Sequence, residues 1–347
     1  FGYIGDVYGR GKALFFTLVG VSLASALMAF MPTYYQIGIG APIIFCLGRC
    51  LQNFFAAGET MGGAIFLLEN TPEKKQDRES GLYNAFAIGG HLLASLAVFL
   101  LSKYECIGLG WRFLYLFGGL ASLFGCFIRK ASIEKKKEIS FFQAIFQIKT
   151  MVFANKKALF YIIIASGFGF ASYSMSLVLM NGLLPLISNI TKIEAMKINT
   201  YLLVFDCLSL PFFGWLASKI SRERLMLFAS LGVAILSIPL FLCLERASFL
   251  TIIGIRTIFV AFGVAFFAPF QAFARSLIPQ NACYTVLSLG YALGSQLLGS
   301  PTAALALWCF QKTGRIESVS WYWILLALGT SLVIFVSSYS KEKARVF

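Results

Sequence analysis

Charged residues are scarce in this chain, making up 13% of its 347 positions against 59% apolar. A surface so poor in charge cannot face water on all sides, which excludes an ordinary soluble domain and points to a bilayer as the solvent. Histidine is nearly missing, His91 being the sole example. The eight cysteines show no metal-ligand spacing and nearly all sit in apolar runs. Packing cysteines are therefore expected, with no metal site. One histidine and no paired-acid motif also leave an enzyme without its nucleophile, base or ligand set. Acids are outnumbered, 15 against 29 Lys and Arg, for a net charge of +14. A nucleic-acid binder would be basic too, but it would not separate its charges by uncharged stretches of about twenty residues, so nucleic acid is excluded as a partner. No cleavable signal peptide is visible, and the first residue is Phe rather than Met.

What is present is a series of nearly uncharged runs, at 13–31, 39–69, 82–102, 111–128, 158–182, 198–218, 225–244, 247–274, 284–309 and 320–339. Ten transmembrane helices are predicted, in an all-α polytopic membrane protein surrounded by lipid. Placing the connections on alternate sides puts twenty Lys or Arg on one side and seven on the other, with Arg49 and Arg256 inside spans. The basic side is cytoplasmic by the positive-inside rule, and an even number of spans puts both termini there. Trp111, Trp321 and Trp323 fall at the opposite ends of their spans, where amphipathic rings favour the interface.

The chain also repeats itself. Gly2, Asp6, Gly9, Arg10 and Lys12 return as Gly214, Ser218, Ser221, Arg222 and Arg224, between long apolar runs. Arg49 with Arg256, and Pro72 with Pro279, are each separated by 207 residues. Paired halves of this kind mark a secondary transporter. The longest polar interruption, 129–157, is read as a cytoplasmic linker between a half-bundle of four helices, 1–128, and one of six, 158–347. The linker holds Glu134-Lys135-Lys136-Lys137-Glu138, followed by Phe141, Phe142, Ile145 and Phe146 at helical spacing. Either a helix lying on the anionic inner leaflet or a solvated basic loop fits it. If the halves are equivalent, two helices that precede Gly2 are missing.

Several polar residues stand out against this background. Asp6 sits where a tight turn joins two helices, and can pair with a cation or face a helix N-terminus as a latch; a loop that only fixes topology is the plainer reading. Gln52 and Glu59 are seven residues apart on one helix face, whereas Arg49 lies about 15 Å from Glu59 along the axis and cannot pair with it. An intramembrane carboxylate can take a proton, because leaving water disfavours its charged form. Glu59 is thus a candidate proton carrier and Arg49 a candidate gate or ligand for a substrate anion, against structural hydrogen bonding at helix contacts. Asp206 and Arg256 are the equivalents in the second half. His91, after Gly89-Gly90, is either a neutral side chain bonded to a neighbouring helix or a protonation switch. Gly58 with Gly62, and Gly290 with Gly294, read as small-residue helix contacts.

With these residues in view, the chain resembles the major facilitator superfamily, and within it the metabolite:proton symporters that include the proline/betaine transporters. Gly2-x-x-x-Asp6-x-x-Gly9-Arg10-x-Lys12 is similar to the superfamily's loop motif between its second and third helices. Arg49, Gln52, Gly58-Glu59 and Gly62-Gly63 resemble the subfamily's fourth-helix pattern, and Gly110-Trp111-Arg112-Phe113 its sixth-helix start. Asn53 and Ala57 replace expected glycines, Gln76-Asp77-Arg78-Glu79 lengthens a loop, and Ser218 has lost the acid of the second motif copy. The resemblance implies a major facilitator fold with ten of its usual twelve helices, in a bacterial inner membrane. It implies a monomeric carrier that works by alternating access, moving a small polar solute such as proline, betaine or another osmolyte or carboxylate with the proton as coupling ion. A drug/proton antiporter of the same superfamily and an inactive truncated remnant are the alternatives. The antiporter's fifth-helix proline is absent from Tyr83 to Ser102.

Overall fold

The computed structural model of the protein describes residues 1–103, 107–130, 141–188, 190–245, 247–279 and 282–346. The linker run Glu134–Glu138 and Cys106 lie outside the described residues, as do the side chains of Phe141, Phe142 and Ile145. Every regular element among the described residues is helical. In chain order these are α1 (Gly2–Tyr8), α2 (Arg10–Ala29), the short α3 (Tyr34–Ile37), α4 (Gly40–Glu69), α5 (Gln76–Lys103), α6 (Ile107–Lys130) and α7 (Phe141–Ala154). There follow α8 (Lys156–Tyr173), α9 (Met180–Ile187), α10 (Lys192–Ile220), α11 (Arg222–Leu242), α12 (Phe249–Phe267) and α13 (Phe270–Arg275). The last are α14 (Cys283–Leu293), α15 (Thr302–Thr313) and α16 (Trp321–Val346). Short π-helical segments, Ser174–Leu179 and Gly294–Gly299, join α8 to α9 and α14 towards α15.

Among the described residues, eight segments are long and apolar enough to cross a membrane, including Arg10–Ala29, Lys156–Ile187 and Phe249–Arg275. The expected spans 39–69 and 284–309 fall on α4, which is 30 residues long, and on α14 with α15. α2 shows why such helices belong in lipid. It buries Thr17, Gly20, Ser22, Ala24 and Ser25 and exposes Phe16, Leu23 and Leu27, the reverse of a soluble helix.

Contacts group the chain into two compact units. One comprises 1–66, 90–154 and 279–288; the other comprises 67–89, 155–278 and 289–347. In the second, the π segment after α14 meets α8 through glycine: a Cβ on Gly294 would collide with the Ile163 carbonyl and Ser166 Oγ. The backbones there approach too closely for any larger residue.

Two expectations change. Trp323 is not an interfacial ring: it is fully buried, packs edge-on against Phe259 at 5.2 Å and donates Nε1–H to Ser172 Oγ at 3.1 Å. Burying the large ring with its one donor satisfied outweighs the headgroup preference. Nor do residues 76–79 lengthen a loop; they form the first turn of α5. Gln76 Nε2 donates to the Leu68 and Thr71 carbonyls, closing the end of α4. Asp77 and Glu79 lie in α5's first turn, where the helix dipole favours acids.

The two motif copies make the same turn. Gly9, between α1 and α2, has φ 105° and ψ 140°; Ser221, between α10 and α11, has φ 109° and ψ 140°. This lies close to a region used essentially by glycine alone, and a serine there stores about 1–3 kcal/mol of strain. Ser221 Oγ accepts from the Arg224 N–H at 3.4 Å, a weak cap. Ser221→Gly should therefore raise stability by about 1 kcal/mol, since glycine costs only a few tenths as a cap. The check is a higher unfolding midpoint in detergent; an unchanged or lower one would contradict the strained turn.

Candidate functional site

Within the first unit, the break at Gly9 aims Asp6 at the start of α14. Its Oδ1 accepts the Tyr284 N–H at 3.2 Å, and its Oδ2 accepts the Thr285 N–H and the Thr285 hydroxyl, both at 2.7 Å. Arg10 Nη2 lies 3.3 Å from Oδ1, and its guanidinium sits 5.8 Å from the centre of the Tyr284 ring. Free N–H groups at a helix start are a natural seat for an anion. Burial pushes the Asp6 carboxyl above its ordinary value, while the Thr285 bonds, the Arg10 charge and the Tyr284 N–H pull it back. Gly2 completes the contact, since a Cβ there would lie 2.8 Å from Thr285 Cα. Lys12, half-buried one turn beyond Tyr8, lines an open groove with Ile4, Tyr8, Phe15 and Phe16.

On α4, Arg49 donates Nη1–H to Gln52 Oε1 at 2.6 Å, and Gln52 donates Nε2–H to Ser25 Oγ at 2.8 Å. Glu59 Oε2 accepts from Thr17 Oγ1 at 3.4 Å, so Gln52 and Glu59 both turn towards α2. Arg49 is exposed and Glu59 half-buried. His91 is exposed on α5. Among the described residues it makes no hydrogen bond to a neighbouring helix.

The second unit encloses two polar centres. Arg256 on α12 is fully buried. Its Nη2 donates to the Ser176 carbonyl, Asn181 Oδ1 and Asn199 Oδ1 at 3.1, 3.1 and 3.0 Å, and Nη1 donates to the Ala195 carbonyl at 3.3 Å. The Ser176 carbonyl is presented by the π segment after α8; such segments recur at functional sites because they re-aim backbone groups. All these partners are neutral, so among the described residues the guanidinium charge is solvated without being cancelled.

Asp206, on α10, is also fully buried. Tyr173 donates its hydroxyl to Oδ1 at 3.2 Å, and Oδ2 has no hydrogen-bond partner among the described residues. No ion pair joins Asp206 to Arg256 among those residues. Asn199 and Asp206 are seven positions apart and share one face of α10, separated by about 10 Å. Sequence reading found both charges but not Tyr173, Ser176, Asn181 or Asn199, whose polar atoms are ordinary in composition and gain meaning from the helices they face.

A second group escaped it too. Asp77, Ser80 and Asn84 lie on one face of α5 and are buried. Asp77 Oδ1 pairs with Arg222 Nε at 3.0 Å. Ser80 Oγ donates within hydrogen-bond distance of the Ala268 carbonyl, at 2.6 Å, and of Gln271 Oε1, at 2.7 Å. Asn84 and Gln271 exchange amide hydrogen bonds at 2.9 and 2.6 Å, and Asn84 also donates to the Phe267 carbonyl. Those carbonyls are left over where the helix breaks before Pro269, as helix C-termini require partners. The 77, 80, 84 spacing was the available signal. No group of three His, Cys, Asp or Glu among the described residues could hold a metal ion.

The sequence profile of the Major Facilitator Superfamily matches residues 1–282. A putative proline/betaine transporter of Staphylococcus aureus is 26% identical over 358 residues, covering 96% of this chain and 74% of that protein. The glycine betaine/proline/ectoine/pipecolic acid transporter OusA of Dickeya dadantii is 23% identical, covering 99% and 71%. Among solved structures, the proton:xylose symporter XylE bound to 6-bromo-6-deoxy-D-glucose superposes with a TM-score of 0.74 at 13% identity, covering 96% of this chain and 81% of that one. The E. coli fucose:proton symporter FucP superposes with a TM-score of 0.68, also at 13% identity.

Proposed function

The chain belongs to the Major Facilitator Superfamily, an integral membrane transporter rather than an enzyme, and from that premise we propose that it is a secondary active, proton-coupled symporter of a small polar solute. Its two homologous halves, 1–128 and 158–347 around the linker, work by alternating access in a bacterial cytoplasmic membrane, with both termini inside. The observation that carries proton coupling is the buried Asp206 carboxylate, bonded among the described residues to one hydroxyl and to no cation. A charge so placed is costly unless it is neutralised, and a proton that enters and leaves there ties solute movement to the gradient. Glu59, half-buried, is the second carrier candidate, with Gln52, Arg49 and Arg256 on the solute pathway. The names of the relatives favour proline or betaine, zwitterions whose carboxylate suits an uncancelled guanidinium such as Arg256. Asp6 against the start of α14 acts as a cytoplasmic latch.

The test is reconstitution of the chain in liposomes with an imposed inward proton gradient, offering labelled proline, glycine betaine and a lipophilic cation. Accumulation of proline or betaine that collapses with a proton conductor is expected. Outward pumping of the cation would instead establish the antiporter, and solute movement indifferent to the gradient would remove proton coupling.

A further inference from the structure

The two copies of the turn motif differ at one chemically decisive position: the first carries Asp6, the second Ser218. Among the described residues Ser218 makes no bond to another helix; its hydroxyl donates back to the Trp215 carbonyl at 2.6 Å. The packing around the two turns is nevertheless alike. Gly2 abuts Tyr284 and Thr285 at the start of α14, and Gly214 abuts the start of α5, where a Cβ would lie 2.8 Å from the Asp77 carbonyl and 3.4 Å from Arg78 Cα. The separation of 207 residues that relates Arg49 to Arg256 also carries Asp77 onto Tyr284 and Arg78 onto Thr285. Asp77 therefore occupies, in the second contact, the helix-start position that receives Asp6 in the first.

Resting on the transporter reading above, we propose that Asp77 and Arg222 form a second latch, in which the acid missing from the loop at Ser218 is supplied by the helix that the loop packs against. In the first contact the acid is on the turn and the helix start offers N–H groups. In the second, Arg222, the copy of Arg10, reaches from the turn to an acid on the helix start. The start of α5 is continued backwards by the 3-10 turn Glu73–Lys75, and the Gln76 N–H is already bonded to the Glu73 carbonyl. A side-chain carboxylate supplies what such an occupied helix start does not.

The pair is not isolated. Arg222 Nη1 also donates to the Ala272 carbonyl at 2.9 Å, and Ser80 and Asn84 hold the α12–α13 break beside it. One face of α5 thus binds both the α10–α11 turn and the break in the neighbouring helix. Asp77 and Arg222 are positioning residues: they bias a conformational equilibrium and touch no solute.

The test is a double-mutant cycle on the full chain in lipid nanodiscs, read by amide hydrogen exchange in 76–88 and 218–226. Asp77→Asn and Arg222→Gln should each speed exchange in both segments about fivefold or more, with the double variant no faster than the quicker single. Asp77→Glu should stay within about twofold of the parent. Asp6→Asn should add independently, because its contact is separate. In the liposome assay, Asp77→Asn should lower the maximal rate of proline or betaine uptake several-fold while changing the half-saturating concentration by less than about twofold, the mark of a shifted equilibrium.

Unchanged exchange in Asp77→Asn, or single effects that multiply in the double variant, would overturn the second latch. So would faster exchange throughout the unit in both Asp77→Asn and Asp77→Glu, which would make Asp77 a general packing residue. If the parent chain moves neither solute, the transport reading fails on its own, and the exchange cycle still decides whether Asp77 and Arg222 act as a pair.

Discussion

Asp206→Asn is expected to lower gradient-driven accumulation by the reconstituted chain by on the order of tenfold or more, while solute exchange across the membrane without a gradient persists. Asparagine keeps the shape and the acceptor for the Tyr173 hydroxyl, which lies 3.2 Å from Asp206 Oδ1, but it holds the site permanently neutral. A carrier that no longer gains or loses a proton there can shuttle loaded solute in both directions, yet has nothing to couple the return step to the gradient. Tyr173→Phe sharpens the test: it removes the hydrogen bond and leaves the carboxyl able to titrate, so it should shift the pH dependence of uptake without eliminating it. Full accumulation by Asp206→Asn would move the coupling site elsewhere, with Glu59→Gln the next variant to measure.

Arg256→Met is expected to lower stability by about 3–5 kcal/mol. Methionine fills much of the volume but strands the acceptors now satisfied by the guanidinium, on Ser176, Asn181, Ala195 and Asn199. Each buried acceptor left unsatisfied costs about 1–3 kcal/mol, reduced where neighbours rearrange. Arg256→Lys should fall between, because an ammonium keeps the charge but cannot span four acceptors in a planar fork. The measurement is the fraction of folded, monodisperse protein surviving a temperature series in detergent. A methionine variant as stable as the parent would show that these oxygens find other partners and that the cage does not depend on Arg256. By contrast Arg49, its counterpart 207 residues earlier, is exposed and, among the described residues, bonded to Gln52 alone, so Arg49→Met should cost less than about 1 kcal/mol.

That contrast marks how far the sequence reaches. Equal spacing made Arg49 and Arg256 look alike, and their apolar surroundings marked both as unusual. Only the second is enclosed, because the π segment after α8, α9 and α10 bring four oxygens around it. The same holds for the acids. The lost aspartate at Ser218 was visible in the motif, but its replacement by Asp77 was not, since a contact between residues 145 positions apart leaves no local pattern. The structure also moved Trp323 from the interface into the core and turned residues 76–79 from loop into helix, each through a hydrogen bond to a distant or capping partner that composition does not display.

By itself the sequence determined that this chain lives in a bilayer, is helical, is built on a repeat and belongs with the major facilitators. Those properties follow from hydrophobicity along single helices and from the chemistry of one turn, Gly2 to Lys12, and they are local. The tertiary structure alone decided which polar groups are buried together: Asp206 with Tyr173, Arg256 with Asn181 and Asn199, Asp77 with Arg222. The physical reason is that lipid rejects every unsatisfied polar atom equally, so a helix sequence reports that such an atom needs a partner, whereas the packing of neighbouring helices chooses which partner it receives.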